Sequence, residues 1–189
     1  MRKETLKVSS LFWFILEIIL LVGFLHPLSA SAKQKDVMRT PIAPNKSSET
    51  VPYPNLKKNH NVWVKVSLAK QRAYIYDNKK LLYTMYVSTG RPGKETKTPT
   101  GIFHIQNLRG KYFYSDRFKE GAYYWVSFAE RGLYLFHSNP VDKNGKIIKS
   151  DAKEIGKKPT SQGCVHLTKS DAKWFYENIP TRSKVVIEK

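Results

Sequence analysis

Only one cysteine, Cys164, occurs among the 189 residues. That scarcity excludes a framework of internal disulfides and leaves either an intermolecular bridge or a free thiol kept for its chemistry. Acidic residues are also few: 15 Asp and Glu stand against 33 Lys and Arg, a formal net charge of +18. Without residues 1–32 the balance is 30 basic to 13 acidic. So much charge of one sign must meet something anionic or repel itself, apart from lysines that are simply solvated surface. No helix-turn-helix pattern, zinc-finger spacing or RNA-binding signature accompanies the charge, so nucleic acid is not the expected partner. Anionic cell-wall polymers or a membrane surface fit better. His, Asp, Glu and Cys never cluster with ligand spacing, so neither a metal nor a cofactor is expected. No internal repeat is present, and the length suits one well-buried core.

The longest apolar run, Leu11 to Leu25, is broken only by Glu17. It follows the basic residues Arg2, Lys3 and Lys7 and precedes Ala30-Ser31-Ala32, an A-x-A cleavage pattern. Residues 1–32 therefore read as a signal peptide, or as a membrane anchor if uncleaved, and the rest is expected to be secreted to the extracellular cell wall. Residues 33–60 carry Pro41, Pro44, Pro52 and Pro54 among Lys, Asn and Ser without a sustained apolar period. They read as a linker.

From Asn61 the period becomes two. Val62, Val64 and Val66 share a face, and two alternating runs flank Asp77-Asn78, which predicts a β-hairpin. Segments 98–106, 123–128, 132–137 and 184–188 also read as strands, rich in aromatic and β-branched residues. Two segments look helical. Thr168 caps 169–178, where Ala172, Phe175, Tyr176 and Ile179 recur at helical spacing; the other, 151–157, is short. Residues 61–189 are thus expected to form one mainly β domain, an antiparallel sandwich or barrel-like fold with one or two short helices.

A cysteine nucleophile needs a base, and histidine is the usual partner because its ordinary pKa of about 6.5 lies between the thiol and neutrality. His26 falls in the leader and His60 in the linker; His104 alternates within a strand. His137 ends the strand "GLYLFH", and His166 stands two residues after Cys164, where an extended chain would put both on one face. Spacing alone slightly favours His166, although partners in a site are normally distant in sequence.

The ordered segments "VWVKVSLAKQRAYIYDNKKLLYTMYVSTG", "KTPTGIFHI", "LFHS", "SQGCVHL" and "DAKWFYENIPTRSKVVI" resemble the catalytic domain of the YkuD-type L,D-transpeptidases over about residues 61–187. The resemblance implies an acyltransferase that attacks an L–D amide of a peptidoglycan stem peptide. Its acyl-enzyme passes to an amine, making a cross-link, or to water, as in an L,D-carboxypeptidase. By position, Cys164 would be the nucleophile and His137 the base, with the Ser138 carbonyl orienting the imidazole. Backbone N–H groups of Gly163 and Cys164 would hold the oxyanion, and Ser161, Gln162 and His166 would contact substrate. Gln162 stands where the family usually has His, and His166 where it has Arg or Asn, so His166 would either meet a substrate carboxylate, best as imidazolium, or hydrogen-bond the neighbouring loop. A silent wall-binding module is the alternative from another class; retention of both Cys164 and His137 argues against it. The segment "NPVDKNGKIIKSDAKEIGKKP" resembles a longer loop of Gram-positive members, either a flap over the cleft or an ordinary surface insertion.

Overall fold

The computed structural model describes residues 37–59 and 61–189; the leader read at 1–32, with His26, lies outside them, as does His60. Nine strands form one sheet: β1 (Val62–Ser67), β2 (Arg72–Asp77), β3 (Lys80–Ser88), β4 (Gly101–His104), β5 (Arg109–Ser115), β6 (Glu120–Ala129), β7 (Tyr134–Ser138), β8 (Val165–Leu167) and β9 (Lys184–Glu188). Their order is β4-β9-β1-β2-β3-β8-β7-β6-β5. The predicted mainly β domain is therefore present. Its neighbours pair antiparallel except β1 with β9 and β7 with β8, which run parallel. The sheet curls back on itself, because Phe103 of the edge strand β4 meets Phe128 of β6 edge-on at 5.6 Å.

Alternation decides which face is inside. Val64, Val66, Ala73, Ile75 and Met85 are fully buried, while Trp63 and Tyr76 stack on the outer face at 4.6 Å. The β2–β3 hairpin turns at Asn78, whose φ of 52° is left-handed, a conformation asparagine tolerates well. Two helices complete the domain, α1 (Lys149–Ala152) and α2 (Lys169–Asn178). The first is shorter than the predicted 151–157 and starts earlier. The second has the predicted ends, with the Thr168 hydroxyl accepting from the Asp171 N–H at 3.1 Å. Its apolar side packs Phe175 on Phe136 at 4.5 Å between ring centres.

Residues 37–59, expected as a linker, are instead docked on the domain and belong to the same compact unit as residues 61–189. The anchors are polar, so no apolar period betrays them. Asp171, fully buried, accepts from the Ser48 N–H at 3.2 Å and the Tyr53 hydroxyl at 2.7 Å, and also from the Ser48 hydroxyl. Glu49 accepts from the Thr84 N–H at 2.7 Å. Tyr53 then stacks on Trp174 at 5.3 Å, which buries the ring face that the polar anchors leave open.

Candidate active site

Parallel pairing of β7 with β8 assembles the site. Phe136 lies opposite Val165 and His137 opposite His166, so Leu135, His137, Cys164 and His166 project to one face while Phe136 and Val165 enter the core. All four line a cavity of about 440 Å³. Gln162 also lines it. The other walls come from β5 and β6, through Phe113, Trp125 and Glu120, and from the turn Arg131–Leu133.

His137 is buried, and its Nδ1 lies 2.7 Å from the Ser138 carbonyl oxygen. A carbonyl only accepts, so Nδ1 carries the proton and Nε2 keeps a free lone pair. Burial drives the His137 pKa down to about 4, against the opposing pull of that carbonyl. Cys164 is half-buried at the cavity floor. Burial pushes its thiol up to about 11 and the Glu120 carboxylate adds to this, while a hydrogen bond from the Leu135 backbone works the other way. The resting pair at neutral pH is thiol and neutral imidazole.

The turn carrying Cys164 is held by two hydroxyls. The Ser161 hydroxyl donates to the Cys164 carbonyl at 2.6 Å and accepts from the Gly163 N–H at 3.1 Å. The Thr98 hydroxyl, from the TPTG turn, donates to the Gly163 carbonyl at 2.9 Å and accepts from the Gly90 N–H at 2.8 Å. Gly163 has φ 119°, and a Cβ there would sit 2.8 Å from the Tyr134 ring. Only glycine fits that backbone without strain.

Two expectations change here. The Gly163 N–H is engaged by Ser161 and is not free to hold an oxyanion, so Gly163 contributes conformation rather than a donor. His166 is only 3% exposed, with its ring 4.7 Å from that of His137. Burial and the neighbouring histidine hold its pKa well below the ordinary value. It is therefore neutral and cannot meet a carboxylate as a cation. Its Nδ1 is buried without a hydrogen-bond partner among the described residues, as is Trp125 Nε1 in the same cavity. Trp125 and Glu120 escape a sequence reading because they come from β6, on the far wall. The segment read as a flap contributes only Pro140 to the cavity. It is pinned along the body through Val141 to Gly121 at 2.8 Å, Gly156 to Val87 at 2.8 Å and Ser88 to the Lys158 carbonyl at 2.8 Å.

Comparison with known proteins matches residues 61–187 to the YkuD profile, the L,D-transpeptidase catalytic domain. A Bacillus subtilis (strain 168) protein named "Putative L,D-transpeptidase YciB" is 46% identical over 136 residues, covering 71% of this chain and 69% of that protein. Among solved structures, a fused Zn-dependent amidase/peptidase/peptidoglycan-binding domain-containing protein of Clostridium acetobutylicum superposes with a TM-score of 0.52 at 25% identity, over 73% of this chain. An L,D-transpeptidase of Mycobacterium tuberculosis H37Rv gives 0.55 at 20% identity over 68%, a likeness of fold. The chain spans 55% and 58% of the lengths of those two structures.

Proposed function

The chain belongs to the YkuD family of L,D-transpeptidase catalytic domains, and on that premise we propose that Cys164 attacks an L–D amide of a peptidoglycan stem peptide. The observation that carries this reading is the convergence of the Cys164 thiol and the tautomer-fixed His137 on one cavity. As Sγ bonds to the carbonyl carbon, His137 Nε2 takes the thiol proton. The Cys164 N–H is assigned to the oxyanion, in the role that backbone donors fill in acyl transfer. His137 then gives its proton to the departing amine as the C–N bond breaks, leaving a thioester. An amine of a second stem attacks that thioester, His137 accepts its proton, and the thiolate leaves and is reprotonated. The product is an L,D cross-link. Leu135, Leu133, Phe113 and Trp125 give the cavity largely apolar walls, which disfavours water as the acceptor and favours cross-linking over trimming.

The same reading sets the enzyme outside the cell, at the wall, with the apolar run and A-x-A pattern of residues 1–32 as its export signal. Incubation of the full chain with purified muropeptides, followed by mass spectrometry, tests the chemistry. Cross-linked dimers from the native chain and none from Cys164→Ala are expected. Trimmed stems alone would make it a hydrolase, and unchanged muropeptides would remove the assignment. A carbapenem, as an acyl donor, should add its mass to Cys164 and to no other residue.

A further inference from the structure

A second concavity, of about 1030 Å³, shares no residue with the Cys164 cavity. One wall is residues 40–45 of the N-terminal arm; another is the 145–157 part of the long loop. Six cations line it: Arg72, Lys146, Lys149, Lys153, Lys157 and Lys169, with no Asp or Glu among its described lining residues. Of these, Lys153 lies 4.0 Å from the Glu154 carboxylate, and the other five form no ion pair among the described residues.

The groove is built, not incidental. The Lys169 N–H donates to the Pro44 carbonyl at 2.9 Å and the Ser170 hydroxyl to the Asn45 carbonyl at 2.6 Å, which fixes the arm as a wall. Arg72 is immobilised at the base, donating to the Gly156 carbonyl at 2.8 Å with its guanidinium 4.2 Å over the Tyr86 ring. Holding six like charges around one hollow costs free energy through mutual repulsion, and an anionic occupant removes that cost.

We propose that this groove binds a linear phosphodiester polymer of the wall, of the polyol-phosphate kind, and so holds the enzyme on its substrate layer. Five of the six cations are lysines, compact point charges on flexible stems that impose no fixed bidentate geometry, which suits a mobile row of phosphates better than one oriented anion. A membrane surface fits less well, because none of the exposed large apolar side chains, such as Ile102, Leu133 and Phe118, lines the groove to enter lipid. Single-stranded nucleic acid needs open ring faces to stack on. Tyr86, the aromatic residue of the lining, is already covered by Arg72.

The experiment does not use the Cys164 chemistry, so its failure is separate from failure of the proposed reaction. Fluorescein-labelled poly(glycerol phosphate) is titrated with the full chain in neutral detergent, and anisotropy is read over a salt series. The quadruple change of Lys146, Lys149, Lys153 and Lys157 to Gln should weaken binding by about tenfold or more at low salt and flatten the dependence of log Kd on log salt, by loss of counterion release. Changing the exposed Lys57, Lys58, Lys79 and Lys80 to Gln, away from the groove, should alter it less than about threefold. Thermal melting checks that both variants are folded. Equal losses in the two variants, no binding by the native chain, or equally tight binding of polyglutamate or of anionic vesicles would each overturn the proposal.

Discussion

Raising the pH should increase the reactivity of Cys164 continuously through neutrality. A thiol held at about 11 is ionised to roughly one part in 10⁴ at pH 7, against about 3% for an ordinary cysteine near 8.5. The thiolate population is thus about 300-fold smaller, and higher intrinsic nucleophilicity returns a factor of about 13 at a Brønsted slope near 0.45. Alkylation by iodoacetamide at pH 7 should then run about 25-fold slower than that of a cysteine in an unstructured peptide, before any steric hindrance. The shape of the curve is the sharper readout. With His137 near 4, only about 1% of it is imidazolium at pH 6 and less above, too little to hold a thiolate, so log k should climb about one unit per pH unit from 6 to 10. Glu120→Gln removes the carboxylate that raises the thiol and should shift the curve to lower pH. Stopped samples quantified by intact mass would give these rates. A plateau between pH 5 and 8 would refute the argument, because it would mean a preformed thiolate–imidazolium pair.

Thr98→Val removes the hydroxyl that joins the Gly90 N–H to the Gly163 carbonyl; a loss of about 1–3 kcal/mol in stability is expected. Turnover should fall by about 10² with little change in KM, since a loosened nucleophile turn mispositions Sγ, and steady-state kinetics on a muropeptide would check this. Asp171→Ala strands the Ser48 and Tyr53 donors and should cost about 1–3 kcal/mol, with residues 37–59 becoming sensitive to limited proteolysis before the sheet unfolds. Burial raises the Glu49 pKa, so the folded chain keeps this proton in a window where the unfolded chain has lost it. The stability of the native chain relative to Glu49→Gln should therefore be greatest below the ordinary carboxylate pKa and decline as pH rises through the folded one. Urea midpoints of both proteins at pH 4 and 7 would test the sign.

What could be read from the sequence follows the kind of force that holds each part. Strands β1 to β3 have one apolar and one polar face, and alternation alone exposes them. The three residues of β8 are buried on every side between β3 and β7, so they show no alternation to detect. Edge strand β5 has no fully buried residue, so despite its three aromatics no alternation of buried and exposed positions marks it. Residues 37–59 carry the composition of a linker because hydrogen bonds to Asp171 and Glu49, not an apolar stripe, keep them in place. In the site, thiol chemistry and family resemblance single out Cys164 and His137. The altered state of His166 is invisible to both: burial between strands keeps it uncharged, and the parallel register, which sets it against His137, adds to this.

A high thiol pKa also bears on the isolation of this cysteine. Oxidation to sulfenic acid proceeds through the thiolate, so a thiol near 11 resists it in the extracellular setting proposed here, where no second cysteine exists to rescue it. Such protection costs reactivity, and the surrounding structure limits that cost to the resting state. His137 presents a free Nε2 lone pair that can take the proton only as a carbon–sulfur bond forms, while Ser161 and Thr98 fix the turn so that little motion precedes attack. In the proposed reaction, substrate binding displaces water from the apolar walls and brings an electrophile to a sulfur that is otherwise silent. The burial that raises the thiol pKa is therefore the same burial that shapes the cavity proposed to take the substrate, and loosening the walls, for instance at Trp125 or Phe113, should increase oxidation of Cys164 while it decreases turnover.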